Sequence, residues 1–181
     1  MSYKNVVLVD KEDREVGVME KLEAHQKGLL HRAFSIFIFN DNDEMLLQKR
    51  ALGKYHSGGL WTNTCCSHPG ENEAILEAGK RRLLEEMNYT SHLETSFSFI
   101  YKVDLDNGLT EHELDHVLIG RSNSNPILNP EEASDYKWIS IDAVIKDISE
   151  NEGDYTFWFK LILKDYRNKL EKSLNILHES L

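Results

Sequence analysis

Between Lys49 and Met87 a short alternating segment runs straight into a helical pattern, KRALGKYHSGGLWTNTCCSHPGENEAILEAGKRRLLEEM, and this junction narrows the folds open to the chain. Trp61 to Cys66 alternates and is rich in β-branched residues, which predicts a short strand. From Gly70 the pattern predicts a helix, with Glu71 and Glu73 in the first turn, where the positive end of the macrodipole favours carboxylates, and Asn88 as the stop. At 100° per residue Ile75, Gly79, Leu83 and Met87 share one stripe, the face expected to be buried. Arg82 and Glu86 fall on the same stripe, and charges there are costly unless partnered. Either they pair with each other at its edge, or this face lines a pocket for a metal or a phosphate. A strand-loop-helix junction carrying Cys66 and His68 can lower a thiol pKa and bind anions, although a lone Cys66 is equally well a small buried hydrophobe. A strand sends Cys65 and Cys66 to opposite faces, so only one can look into a given cavity, and the two are poorly placed for a mutual disulfide.

Around this junction the patterns alternate between strand and helix. Val6 to Val9 and Glu15 to Met19 predict two strands about a turn at Lys11 to Arg14, with a bulge at Gly17, and Glu20 to Gln26 predicts a helix closed by Gly28. Leu30 to Phe39 and Met45 to Arg50 predict strands joined by the Asn40 to Asp43 turn, and Lys49 to Gly59 a loop. Ser96 to Asp106 and Glu111 to Arg121 pair through a turn at Asp106-Asn107-Gly108. Tyr136 to Ile141 is a further strand, Ile141 to Glu150 a helix, and Phe157 to Leu177 one long helix burying Leu163, Tyr166, Leu170, Leu174 and Leu177. The expected class is α+β, a mixed sheet sandwiched by helices in a single domain spanning 1–181.

A chain of 181 residues with three prolines and no low-complexity run fits one domain, which at this size buries roughly 70% of its unfolded surface. The first residues lack a basic lead and a long apolar core, and no apolar run reaches the roughly 18 residues of a membrane span. A cytoplasmic location with both cysteines reduced is expected, and no membrane partner. A formal net charge of −10 argues against nucleic acid. An anionic substrate would need a local basic cluster drawn from Lys21, Lys49, Arg50, Lys54, Arg81 and Arg82, each of which singly is only a solvated charge. Glu111 and Glu113 lie on one face of their strand, which calls for a cation, a shared proton or full exposure.

The Ser67 to Asn88 stretch resembles a degraded Nudix box. Glu73, Arg81, Leu83, Glu85 and Glu86 match its pattern, while Ser67, Arg82 and Asn88 replace its Gly, Glu and Gly. The whole chain is more similar to the type 1 isopentenyl-diphosphate isomerases, a Nudix-related family. That resemblance rests on Glu20–His25, Leu30–Ser35, Lys49–Lys54, Gly59–Pro69, Glu111–Glu113 and Tyr155–Phe159, taken in order. It implies isomerisation between isopentenyl and dimethylallyl diphosphate through a tertiary carbocation. It further implies one divalent ion (Mn, Zn or Mg) on His25, His31, His68, Glu111 and Glu113, a set in which no spacing is a metal motif by itself. Mg²⁺ would sit on Glu86 with the substrate diphosphate, held by Lys21, Arg50, Lys54 and Arg82. Glu113 with Tyr101 would supply a proton, Cys66 would accept one from the opposite side, and Trp158, with Trp61 a second aromatic candidate, would face the cation. His56, His112 and His116 match no ligand position. Two rival readings stay open. One is a pyrophosphohydrolase acting on a nucleotide-type diphosphate through Glu73, Glu85 and Glu86; the other is a metal-stabilised binding domain using Cys65, Cys66 and His68, against which the missing C-x2-C spacing counts. The sequence leaves monomer and homodimer open.

Overall fold

The apolar run HRAFSIFIF gives a strand buried on both faces, β3 (His31–Phe39), and the remaining strands assemble on it. The computed structural model describes residues 4–54, 56–105 and 108–179, with side chains as far as Leu177. Among these, nine strands form one mixed sheet: β1 (Asn5–Val9), β2 (Glu15–Glu20), β3, β4 (Glu44–Arg50), β5 (Trp61–Thr62), β6 (Cys65–Ser67), β7 (Leu93–Asp104), β8 (Thr110–Arg121) and β9 (Ala133–Ser140). β3 runs parallel to β8 and antiparallel to β6, and β4 pairs with β9. α1 (Lys21–Lys27) crosses one end, and Gly28 closes it in the left-handed conformation, φ 59°, which glycine adopts without strain.

Helices cover both faces. α2 (Ile75–Met87) packs with Phe34, Ile36, Ile38 and Leu118 on one side. α4 (Phe157–Asp165) and α5 (Arg167–Glu179) pack with Phe37, Phe39, Val117 and Ile119 on the other, alongside α3 (Ile141–Glu150). The architecture is α+β, a mixed sheet between helices, as the sequence pattern requires.

Local expectations needed correction where tertiary hydrogen bonds override pattern. α2 begins at Ile75 rather than Gly70: Asn72 adopts a left-handed φ of 58°, and Glu73 folds back to accept the Gly70 N–H at 2.7 Å, so Glu71 and Glu73 sit in the approach loop. The predicted Trp61–Cys66 strand is two strands. Thr64 Oγ donates to the Leu46 carbonyl and accepts from the Ile38 amide, moving the chain from β4 to β3. The predicted helix Phe157–Leu177 breaks at Tyr166, whose ring lies against Phe99 with centroids 4.6 Å apart. β7 starts at Leu93 and β9 at Ala133, earlier than their patterns indicate. Beside Gly17 the pairing slips between Leu8–Gly17 and Val9–Glu15. Asp106 and Asn107 of the predicted turn lie outside the described residues, and Gly108 has φ 71°.

Candidate active site

Pleat parity assembles one wall. Residues directly opposite in neighbouring strands point to the same face, and the β7–β8–β3 register puts Tyr101, Glu113 and His31 in one transverse row. Glu111 and Asp115, two residues away on β8, and Ser35, four away on β3, share that face, and Cys66 joins it opposite Ser35 on β6. Cys65 goes to the other face, buried among the residues beneath α2.

The face opens into a cavity of about 180 Å³. Lys21, Arg50, Lys54 and Arg82 line it together with Glu86, Tyr101, Glu111, Glu113, Cys66, His68 and Trp158. The rings of His25, His31 and His68 converge beside it, with centroids 4.8 to 5.8 Å apart. One donor atom from each of these histidines and one from Glu113 lie within 4.8 Å of one another. The donor set suits a divalent ion. His25 Nδ1 lies 2.7 Å from the Lys21 carbonyl and His31 Nδ1 2.8 Å from that of Leu29; a carbonyl only accepts, so the proton is on Nδ1 and the Nε2 lone pair is left for a ligand. Burial lowers the His25 pKa and takes His68 down to about 3, so these rings are neutral near pH 7.

The two acids of β8 are differentiated by their neighbours. Burial and the adjacent Glu113 charge push Glu111 well above the usual carboxylate range. Burial also works to raise Glu113, but the neighbouring rings of His31 and His68 outweigh it and hold it well below. The Tyr101 hydroxyl stands 2.8 Å from Glu113 Oε2 and 3.0 Å from Glu111 Oε2, while Glu113 Oε1 faces His68 Nε2 at 3.0 Å.

On β6, at the same cavity, the Trp158 indole N–H donates to Cys66 Sγ at 3.1 Å, and the thiol lies 3.0 Å from Asn63 Oδ1. The lowered thiol pKa predicted for Cys66 is not found. Burial pushes it up to about 12 despite the opposing influence of Arg50, because α2 starts nine residues later and Cys66 lies in a closed layer. Arg50 sits over the Trp158 ring, 5.4 Å from its centroid, so that face already carries a cation. Trp61 lies under Lys137 at 4.4 Å instead and is not among the residues lining the cavity.

Arg82 and Glu86 pair at 2.5 Å, buried, and line the cavity. The Nε–H groups of Arg50 and Arg82 are buried donors without an acceptor among the described residues, a cost of roughly 1–3 kcal/mol each that a ligand anion would relieve. Glu73 and Glu85 are turned away. Arg81 grips Glu73 at 2.7 and 2.9 Å, Arg82 holds Glu85 at 2.8 Å, and neither acid lines the cavity.

The structure adds residues that sequence reasoning missed. His56 lines the cavity, with Nε2 3.4 Å from Glu111 Oε1. Glu132 bridges Lys54 and Arg82, and Asp115, buried and pushed up to about 8 by burial and Glu113, accepts from Ser35 Oγ at 2.7 Å. His56 and Glu132 belong to loops with no periodic pattern. Asp115 alone carried a signal, its in-phase spacing from Glu111 and Glu113. His112 and His116 do not line the cavity, and Cys65 is on the wrong face to ligate with Cys66 and His68.

Residues 29–159 match the NUDIX domain. The chain is 49% identical to Isopentenyl-diphosphate Delta-isomerase 2 of Aromatoleum aromaticum, over 87% of this chain and 84% of the relative. It is 51% identical to the protein of the same name from Photorhabdus laumondii (87% and 89% covered) and 46% identical to Isopentenyl-diphosphate Delta-isomerase of Aliivibrio fischeri (97% of each). Among solved structures the fold resembles a Deinococcus radiodurans protein, with TM-score 0.73 and 18% identity over 90% of this chain and 99% of that one. It also resembles a MutT protein of Methanosarcina mazei, with TM-score 0.63 and 16% identity over 77% and 94%.

Proposed function

The chain belongs to the isopentenyl-diphosphate Delta-isomerases, within the NUDIX-domain family, and we propose that its cavity grips a diphosphate at one end and moves a proton along a five-carbon tail at the other. The enzyme interconverts isopentenyl and dimethylallyl diphosphate. The observation that carries the site assignment is the meeting of two proton carriers at one small cavity, Glu113 bonded to Tyr101 and Cys66 bonded to Trp158, both on the same face of the sheet.

Protonating an alkene leaves a tertiary carbocation, which the loss of an adjacent proton converts to the isomer. Glu113 Oε2, with the Tyr101 hydroxyl, delivers the proton to isopentenyl diphosphate, and Cys66 takes one from the opposite side; the reverse reaction exchanges the roles. Each carrier is worth roughly 10² to 10⁴ in rate. Trp158, whose ring already takes the Arg50 cation, lines the cavity as the aromatic partner for the intermediate charge, and burial keeps water from it. Lys21, Arg50, Lys54 and Arg82 hold the diphosphate. His25, His31, His68, Glu111 and Glu113 would hold one divalent ion (Mn, Zn or Mg), and Glu86 would hold Mg²⁺ shared with the diphosphate; these ions would neutralise carboxylate and phosphate charge.

A cavity of about 180 Å³ is small beside the roughly 300–1,000 Å³ of drug-sized sites, which disfavours a nucleotide substrate. The decisive experiment is incubation with isopentenyl diphosphate and Mg²⁺ in heavy water, followed by NMR. Deuterium in dimethylallyl diphosphate is the expected result. Release of phosphate without deuterium incorporation would establish the hydrolase reading instead.

A further inference from the structure

A second group of metal donors adjoins the first. His56 lies in the loop between Arg50 and Leu60, whose neck is closed by backbone bonds from Arg50 N–H to Leu60 O at 2.9 Å and from Gly59 N–H to Arg50 O at 3.0 Å. Its side chain is only 7% exposed, its ring centroid is 6.2 Å from that of His25, and its Nε2 is 3.4 Å from Glu111 Oε1. Donor atoms of His56, His25 and Glu111 lie within 4.8 Å of one another, the same limit met by the His25, His31, His68 and Glu113 group. Ligands on opposite sides of one ion, each roughly 2.0–2.2 Å from it, stand about 4.2 Å apart, so an ion can draw either group together with a small adjustment. The two groups share His25, and their carboxylates share the Tyr101 hydroxyl. An ion held by one group therefore stands beside the donors of the other.

We propose that His56 is a further ligand of the ion at this centre, which then has four imidazoles and two carboxylates; the proposal rests on the metal centre described above. Ser57 supplies the outer partner the ligand needs. Its Oγ is 3.2 Å from His56 Nδ1, and a hydroxyl that accepts the Nδ1 proton leaves the Nε2 lone pair on the Glu111 side. Two consequences follow. Four nitrogens shift preference away from Mg²⁺ and toward Zn²⁺ or another imidazole-binding transition ion. Because Lys54 is two residues before His56 and Arg50 stands at the loop's neck, ligation ties the diphosphate-binding loop to the metal.

The test is Zn K-edge X-ray absorption on the full chain loaded with one Zn²⁺ per molecule, read for the number of coordinated imidazoles. Chelator competition on the same samples gives Zn²⁺ affinity. Wild type should show four imidazoles. His56→Ala and His56→Gln should show three, with affinity lowered at least tenfold and unfolding midpoints of the metal-free proteins unchanged. His56→Gln keeps a polar side chain in the loop in case alanine disturbs it. Three imidazoles in wild type and both variants would overturn the role of His56 while leaving the centre in place. A wild-type protein that holds no Zn²⁺ on histidine and carboxylate would overturn the centre itself. Both results are independent of the heavy-water assay.

Discussion

At the scale of single residues, the resting positions of two protons define the reaction. The thiol of Cys66, pushed up to about 12 by burial, holds its proton, while Glu113, held low by His31 and His68, does not. In the proposed reaction that distribution would protonate dimethylallyl diphosphate, and moving the proton to Glu113 would ready the site for isopentenyl diphosphate, so one proton would serve both directions. Arg50, through its charge, and Thr62, through its hydroxyl, oppose the effect of burial on Cys66 and lower the cost of the thiolate. Cys66→Ala should therefore cut turnover by at least about 10²-fold. It should cost only about 1 kcal/mol of stability, because it removes a single buried sulfur. The check is kcat beside a urea unfolding curve, and a variant with turnover near wild type would remove Cys66 from the reaction.

At the scale of elements, α2 explains how a hydrolase-like helix serves a different chemistry. Arg81 and Arg82 neutralise Glu73 and Glu85 on the helix flank, so only Glu86, through its buried face, reaches the cavity. Glu85→Gln is expected to leave isomerase kcat within about threefold and to lower stability by at most about 1 kcal/mol, as for other partly exposed ion pairs. Loss of activity comparable to Cys66→Ala would mean the acid takes part in chemistry. That Leu30–Phe39 and Glu111–Arg121 form strands was legible in their runs, and strand alternation put Glu111 and Glu113 on one face, but the parallel pairing of β3 with β8 was not. The stripe on α2 likewise exposed Arg82 and Glu86 as misplaced charges. The start of α2 and the break at Tyr166 were not legible, since a left-handed Asn72 and an aromatic contact with Phe99 set them and neither leaves a periodic trace. His56 and Glu132 were invisible for a related reason: loops bring them to the cavity, and only backbone bonds such as Arg50 to Leu60 determine where those loops lie.

At the scale of the whole molecule, buried titratable groups of opposite sense set how stability depends on pH. His56 and His68 fall from 6.5 to about 3 on folding, chiefly through burial, so the unfolded chain binds more protons between those values and stability rises with pH across that range. Asp115 rises from 3.8 to about 8, and Glu111 also rises, again chiefly through burial; the folded chain then binds more protons above about pH 4, and stability falls as pH increases. Between about pH 4.5 and 6.5 the histidines, His25 and His116 lowered with them, work against the two acids. Above 6.5 the histidines no longer contribute and the acids act alone, each worth up to about 1.4 kcal/mol per pH unit. Lys21, held down to about 8 by burial and by Lys54, enters only at the top of this range. Chelator-treated protein should thus be most resistant to urea between pH 4.5 and 6.5 and lose one to a few kcal/mol, an order-of-magnitude figure, by pH 7.5. Asp115→Asn should flatten about half of that alkaline decline, because an amide cannot ionise in the same buried position. Urea midpoints that stay level or rise from pH 6.5 to 7.5 would show that neither acid holds its proton in the folded chain. The face shared by Glu111, Glu113 and Asp115 would then have to be more open to water than their exposures of 3%, 7% and 1% allow.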